Sequence, residues 1–166
     1  KLIDKLAQAS QAGVEVVMNI RGICCLIPGV PGLTDRITVF SIVGRYLEHS
    51  RIYQFGRGDD ARLYISSADF MTRNTERRVE IACPVLDPWC RRRLLGIVDH
   101  LLADNQKARV LCPDGTYTPR EDGKEPHNCQ EYFQTETVSV PQDLDKPVRS
   151  RSPVSLSERL REIFPK

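Results

Sequence analysis

GRYLEHSRIYQFGRGDDARLYISSADFMTRN, Gly44 to Asn74, is the stretch whose reading decides the fold. Alternation from Arg51 to Phe55 and again from Arg62 to Ile65, separated by the Gly/Asp loop Gly56 to Ala61, reads as a β-hairpin. His49, the one histidine of the stretch, stands at the mouth of that hairpin. Ser66, Ser67, Asp69 and Asn74 follow the second strand, and each can hydrogen-bond a phosphate, a metal-bound water or the backbone. From Arg36 to Arg78, eight arginines face Glu48, Asp59, Asp60, Asp69 and Glu76, a local surplus of three on a chain whose net charge is +2. The positive potential is concentrated around one titratable ring, as in a site for an anion.

Toward the N-terminus, Leu2, Ile3, Leu6 and Ala9 recur at helical spacing and Gly13 follows as a stop, so residues 1–12 read as the end of a helix. Val14 to Ile20 reads as a buried strand. Helix, glycine, strand in that order predicts half of a βαβ unit, in an α/β domain with helices packed on a sheet. Arg21 and Gly22 fall where that strand ends in a turn, the place where open α/β sheets put ligands. Taken as residues alone, the pair suits anion binding by its position and its RG sequence, against the alternative of a surface charge beside a turn. Pro28, Gly29, Pro31 and Gly32 forbid regular structure and predict a rigid apolar loop ahead of the next strand, Ile37 to Val43.

Toward the C-terminus, Gly44 to Glu48 reads as a short turn and Arg78 to Val85 as a further strand. Asp87 as N-cap and Pro88 as first residue announce a helix whose apolar face is Leu94, Leu95, Val98, Leu101 and Leu102. Arg91, Arg92 and Arg93 lie at the end of that helix where cations are disfavoured, which suits either a solvated face or contact with an anionic partner. His100, on the same helix, reads as solvated or as a satisfied polar contact. Lys107 to Cys112 is the last predicted strand. Residues 114–125 have loop composition, and Cys129 to Thr137 suits a short helix or strand. Pro141 to Pro153 reads as a linker, after which Ser155 and Glu158 form a capping box for a short terminal amphipathic helix. The expected division is a domain over 1–112 and an extension over 113–166.

A chain of 166 residues suits one domain with a tail. No apolar run approaches the roughly 20 residues needed to cross a bilayer, and Lys1 opens inside a helical pattern, as in a fragment of something longer. The six cysteines stand in apolar contexts and one pair is adjacent, which suits free, mostly buried thiols better than disulfides. Cys112, His127 and Cys129 offer three metal ligands at a spacing that matches no common zinc pattern. The choice of cation is more informative. Between Lys5 and Lys107 there is no lysine, and all twelve cations are arginine, whose planar fork grips phosphate or carboxylate bidentately.

VVMNIRGICCLIPGVPGLTDRITVFSIVGRYLEHSRIYQF, Val16 to Phe55, followed by YISSADFMTRNTERRVEIACPVLDP, Tyr64 to Pro88, closely resembles the last catalytic domain of the large bacterial polyphosphate kinases. The resemblance runs from Leu2 to Leu111 and rests on long, uncommon motifs in order. It implies an α/β, phospholipase-D-like fold, a mixed β-sheet flanked by helices in a single domain with a C-terminal tail. It also implies that the terminal phosphoryl group of ATP passes reversibly to polyphosphate through a phosphohistidine carried on the preceding half of such an enzyme. Arg21, in NIRGICC, matches the family's arginine at the nucleotide phosphates. His49, in YLEHSR, matches its second active-site histidine, which is expected to donate a proton to, or hydrogen-bond with, the leaving phosphate. The usual His-x-Lys pattern stands here as His49, Ser50, Arg51, with no aspartate at the usual spacing, so this half suits binding and proton donation and not nucleophilic attack.

Arg45, Arg51, Arg73, Asn74 and Arg78 are further candidate contacts for polyphosphate, although arginines on strands also pair with acids such as Glu48, Glu76 and Glu80. By resemblance the cofactors are ATP and Mg2+, with the magnesium ligands on the upstream domain and no metal ligand assigned in this chain. The implied partners are ATP or ADP, inorganic polyphosphate and the upstream domains, in a homo-oligomer when full length, with no specific nucleic acid. The implied location is cytoplasmic, with room for a peripheral membrane-associated pool of the intact protein. A competing reading is a non-catalytic polyanion- or nucleic-acid-binding module of the same fold, which would bind with steep salt dependence and ignore loss of His49. Against it, the charged stretch is not interleaved with aromatics in a stacking pattern. A nuclease or phospholipase of this fold is disfavoured by the lysine and aspartate lacking from the motif.

Overall fold

The computed structural model describes residues 1–139 of the chain; the expected linker and terminal amphipathic helix lie outside the described residues. The chain divides into a body, Lys1–Phe133, and a second unit, Gln134–Lys166. The body is a mixed α/β structure with two sheets where the sequence suggested one.

The first sheet has the order β1-β2-β6-β7, from Val16–Asn19, Ile37–Ile42, Ala108–Leu111 and Tyr117–Pro119. Its centre is β2, which pairs parallel to β1 (Val16 opposite Ile37) and antiparallel to β6 (Phe40 opposite Val110). A central strand is covered on both faces, and of ITVFSI every residue but the exposed Thr38 is buried. Ile37 and Val39 pack with Leu26 and Leu111 on one side, joined by Leu6 of helix α1 (Leu2–Gln11). Phe40 and Ile42 pack with Ala108 and Cys129 on the other, joined by Leu101 of α3 (Pro88–Ala103) and Phe133 of α4 (Cys129–Ser139). Each such buried side chain contributes roughly 1.5–3 kcal/mol, whereas an exposed pair such as Lys1–Glu76 contributes about 0–1 kcal/mol. This sandwiched strand therefore dominates the stability of the body.

The parallel crossover from β1 to β2 is made by the Pro/Gly loop and not by a helix. Thr34 closes it: the hydroxyl donates to the carbonyl of Ile27 at 2.8 Å and accepts from the amide of Val30 at 2.9 Å. Gly29, at φ +71°, lies where an added Cβ would come within 3.1 Å of Pro113, so the loop packs tightly against the end of β6.

The second sheet, β3-β4-β5, is antiparallel and built from Ile52–Phe55, Arg62–Ser66 and Ala82–Pro84. The predicted hairpin is present, with Ile52 opposite Ile65 and Phe55 opposite Arg62 and a short 3-10 turn, Gly58–Asp60, in its loop. Three stretches differ from expectation. Residues 72–77 form a helix, α2 (Thr72–Arg77), and the strand expected over 78–85 shortens to Ala82–Pro84. β7 arises in loop-like sequence because the edge of β6 accepts a partner regardless of side-chain pattern: Val110 lies opposite Thr118. In α3, Asp87 caps as predicted, accepting from the amides of Trp89 at 3.0 Å and Cys90 at 2.9 Å. The leucine face of α3 is only half covered, with no buried residue along the helix among the described residues. Arg91 donates to the carbonyl of Ala61 at 2.7 Å and so ties α3 to the second sheet; it is not part of a solvated face.

The expectation of mostly buried thiols is corrected. Cys129 is buried, but Cys25, Cys83 and Cys90 are exposed, Cys25 on the loop after β1 and the other two on outward-looking faces of β5 and α3. No helix among the described residues is long and apolar enough to cross a membrane.

Asp104, fully buried, locks the C-terminal part of the body. One carboxylate oxygen accepts from the amides of Gln106, Lys107 and Ala108, at 3.1, 2.7 and 3.0 Å, and the other from that of Cys129 at 2.9 Å. Burial pushes its pKa up, but these amides outweigh burial and hold it below the ordinary carboxylate value. A carboxyl depressed on folding stabilises above its unfolded pKa of about 4 and loses that contribution as pH falls through the lower folded value. Asp104→Asn should therefore cost about 2 kcal/mol at neutral pH, and the gap to the parent should narrow at pH 3 in chemical-denaturation curves. A gap that does not change with pH contradicts the account.

Candidate functional site

Because β1 and β2 run parallel, their C-terminal ends share one edge of the first sheet. Arg21 follows β1 there, and Gly44 to His49 follow β2. The second sheet brings Arg51, just ahead of β3, beside the loop after β4 that carries Asp69, since antiparallel pairing sets the start of one strand next to the end of the other. The two sheets meet at these side chains.

Asp69 is the point of contact. Arg51 grips it as a fork, Nε to Oδ1 at 3.0 Å and Nη2 to Oδ2 at 3.2 Å, while Nη2 of Arg21 approaches Oδ1 at 3.7 Å. Arg21 also donates from Nη1 to the main-chain carbonyl of Glu48 at 2.8 Å. The remaining end of the Arg51 guanidinium, Nη1, donates to the carbonyl of His49 at 3.0 Å and lies 2.9 Å from Nδ1 of its ring. The same Nη1 lies 3.2 Å from Nε2, so the Arg51 guanidinium sits within reach of both ring nitrogens. The hydrogen bonds from Arg51 hold the Asp69 carboxyl below its usual range against a smaller opposing effect of burial, and the charges of Arg51, Arg21 and His49 add to them.

Asp69 itself is braced from behind. The Tyr53 hydroxyl donates to the carbonyl of Ala68 at 2.8 Å, and its ring stacks on Phe70 with centroids 4.6 Å apart. Burial, then the Asp69 carboxylate, push the Tyr53 phenol up, so it stays a donor. Asn74 is buried and donates from Nδ2 to the carbonyl of Asp69 at 3.1 Å, propping the loop with one end of its amide while Oδ1 is buried without a hydrogen-bond partner among the described residues.

Of the predicted residues, Arg21, His49 and Arg51 converge. Arg45 is exposed, its guanidinium 5.6 Å from the ring centre of Tyr46; Arg73 lies exposed on α2, and Arg78 is exposed at the C-terminal cap of that helix. The acids expected to pair with arginines are otherwise engaged: Glu76 with Lys1, Glu80 with the Ser67 hydroxyl, Glu48 with the amide of Gln130. The partner of the arginines is Asp69 instead, which sequence reading placed in the polar loop without a mate. Gln130 was not foreseen, and nothing in the sequence couples it to a segment more than eighty positions away.

His100 packs against Tyr132, centroids 3.6 Å apart, and its Nδ1 lies 3.2 Å from Nε2 of His127. The Cys129 thiol is pushed far up by burial and by Asp104 and stays protonated. Among the described residues, no group of three or more His, Cys, Asp or Glu side chains could hold a metal ion, so Cys112, His127 and Cys129 do not form one.

Residues 1–130 match the family model described as polyphosphate kinase C-terminal domain 2. A polyphosphate kinase of Staphylococcus epidermidis is 45% identical over 98% of this chain and 23% of its own length. One from Bacillus cereus is 53% identical over 70% of the chain and 16% of its own length. A crystal structure of the polyphosphate kinase from Porphyromonas gingivalis superposes with a TM-score of 0.75 at 39% identity, over 84% of this chain and 22% of that one. The chain thus spans about a fifth of the length of relatives it matches, and the α/β architecture is the phospholipase-D-like one that the sequence implied.

Asp69 is more than a third exposed, so solvent screens its ion pairs. Asp69→Asn should lower the unfolding free energy by no more than about 1 kcal/mol at neutral pH. Because the folded pKa is depressed, that difference should fade as pH drops below about 4. Thermal melts across pH check this; a loss of several kcal/mol would mean that Asp69 is a fold determinant.

Proposed function

The chain belongs to the polyphosphate kinase family, and we propose that it is the ATP-facing half of such an enzyme, one that transfers the terminal phosphoryl group of ATP reversibly to polyphosphate through a phosphohistidine on the preceding half. The observation that carries this reading is the meeting of Arg21, His49 and Arg51 around one carboxylate at the C-terminal ends of two parallel strands.

Phosphoryl transfer asks little covalent help of a protein and much positioning and charge neutralisation. In the proposed reaction the bond between the γ-phosphorus and its bridging oxygen breaks as a nitrogen-phosphorus bond forms on the upstream histidine, and ADP leaves. Negative charge grows on the bridging oxygen. Arg21, held by the Glu48 carbonyl, presents its fork to the nucleotide phosphates. His49, the side-chain type that exchanges protons most readily near neutrality, donates a proton or hydrogen bond to the leaving phosphate. Arg51 spends its Nε and Nη2 on Asp69 and its Nη1 on His49, and so sets the imidazole. Arg45, Arg73 and Arg78 are exposed cations suited to a passing polyphosphate. Magnesium, when bound with the nucleotide, supplies further charge neutralisation from ligands outside this chain. A cytoplasmic, homo-oligomeric full-length enzyme belongs to the same proposal.

Isothermal titration of the chain with magnesium ATP and with polyphosphate, at two salt concentrations, tests it. Arg21→Ala should weaken both ligands by roughly 10-fold or more, as loss of a charge-assisted phosphate contact does. His49→Ala should weaken ATP and, in the full-length enzyme, lower kcat by about 100-fold or more. Steeply salt-dependent polyphosphate binding that neither variant alters would instead describe a passive basic surface.

A further inference from the structure

The segment that ends in His49 does not hold its own shape; a side chain from the far end of the body does. Gln130, 7% exposed, lies in the first turn of α4. Its Oε1 accepts from the amide of Tyr46 at 3.0 Å, and its Nε2 donates to the carbonyl of Tyr46 at 2.8 Å and to Oε1 of Glu48 at 2.8 Å. All three bonds go to the stretch between β2 and His49. The assignment of oxygen and nitrogen is forced, because the reversed amide would set its carbonyl against two acceptors.

We propose that Gln130 is a positioning residue for the phosphate-handling site, fixing the path of Gly44 to Glu48 and through it the places of His49 and Arg21; this rests on the reading of Arg21 and His49 as the groups that meet ATP. The path from amide to site is short. Glu48, gripped through its carboxylate by Gln130, offers its main-chain carbonyl to Nη1 of Arg21, and the next residue is His49. Gly44 makes the room: a Cβ there would stand 2.4 Å from Oε1 of Gln130, so no larger residue fits while the amide is in place. Gln130 is itself set by Asn128, whose side chain accepts from the main-chain N–H of Gln130 at 3.1 Å, and by Asp104, which accepts from the main-chain N–H of Cys129 at 2.9 Å. Residues beyond the last central strand thereby reach the site without touching the substrate.

The test compares Arg21→Ala, Gln130→Ala, Gly44→Ala and the double variant Gly44→Ala/Gln130→Ala in the full-length enzyme that carries this domain. Steady-state kinetics for ATP, thermal midpoints and hydrogen exchange at the Tyr46 amide are read together. A misplaced reacting group costs up to about 100-fold, so Gln130→Ala should lower kcat/KM for ATP by roughly 10- to 100-fold and speed exchange at Tyr46. Gly44→Ala should do the same. The double variant should be no worse than Gln130→Ala alone, because removing the amide makes space for the new methyl. A role confined to stability would shift the midpoints and leave kcat/KM of the folded enzyme unchanged, which overturns the proposal, as does simple additivity of the two single variants. If Arg21→Ala is also silent, the reading of the site fails and this inference with it. If Arg21→Ala is damaging and Gln130→Ala is not, only the inference fails.

Discussion

The carboxylate of Asp69 is the constraint on which the site depends. Two guanidiniums, one from each sheet, would repel at contact distance by a few kcal/mol at the effective dielectric of a protein surface. Asp69 lies between them and turns that repulsion into a shared attraction. Its own exposure screens the gain, so the net effect on stability is small. What it provides is geometry: the strand that Arg51 precedes and the strand that Arg21 follows belong to different sheets, and this carboxylate is where their side chains meet. A site assembled across two sheets needs such a junction, because Arg21 and His49 follow strands of the first sheet whereas Arg51, which reaches both Asp69 and His49, precedes a strand of the second.

The stability that carries this arrangement comes from elsewhere. β2 is buried on both faces and clamped between α1 on one side and α3 with α4 on the other. The residues at its C-terminal end can therefore be polar, exposed and mutually repulsive without threatening the fold. Asp104, in turn, anchors the start of α4 to the turn ahead of β6 through four amides. The division of labour is clear in burial: Val39 and Asp104 are fully enclosed, whereas Arg21, His49 and Asp69 all meet solvent.

Much of this was legible in the sequence wherever the chemistry is local. The hairpin followed from alternation about GRGDDA, the start of α3 from Asp87 and Pro88, and the rigid loop from four prolines and glycines. Arg21 and His49 were singled out through the family resemblance of their motifs, and the structure sets Arg21 against the Glu48 carbonyl and Asp69 and His49 against Arg51. Long-range features were not legible. α2 forms where the polar run TRNTER carries no apolar stripe, and β7 forms because an open strand edge pairs through the backbone, which side-chain pattern does not encode. The half-covered leucine face of α3 and the exposed Cys83 and Cys90 show the converse: apolar pattern names a face but not what covers it. The partner of Arg51 could not be chosen among five nearby acids without the fold, and Gln130 is an amide with no motif at all.

The central claim is that the convergence at Asp69 is a phosphate site that handles the far end of a nucleotide. Phosphorus NMR of magnesium ATP titrated with this chain addresses it directly. The account predicts that the γ and β resonances shift and broaden with saturation, more than the adenine protons do, and that Arg21→Ala abolishes the effect. Adenine protons that respond while the γ-phosphorus stays unmoved, or a phosphorus shift indifferent to Arg21, would contradict it.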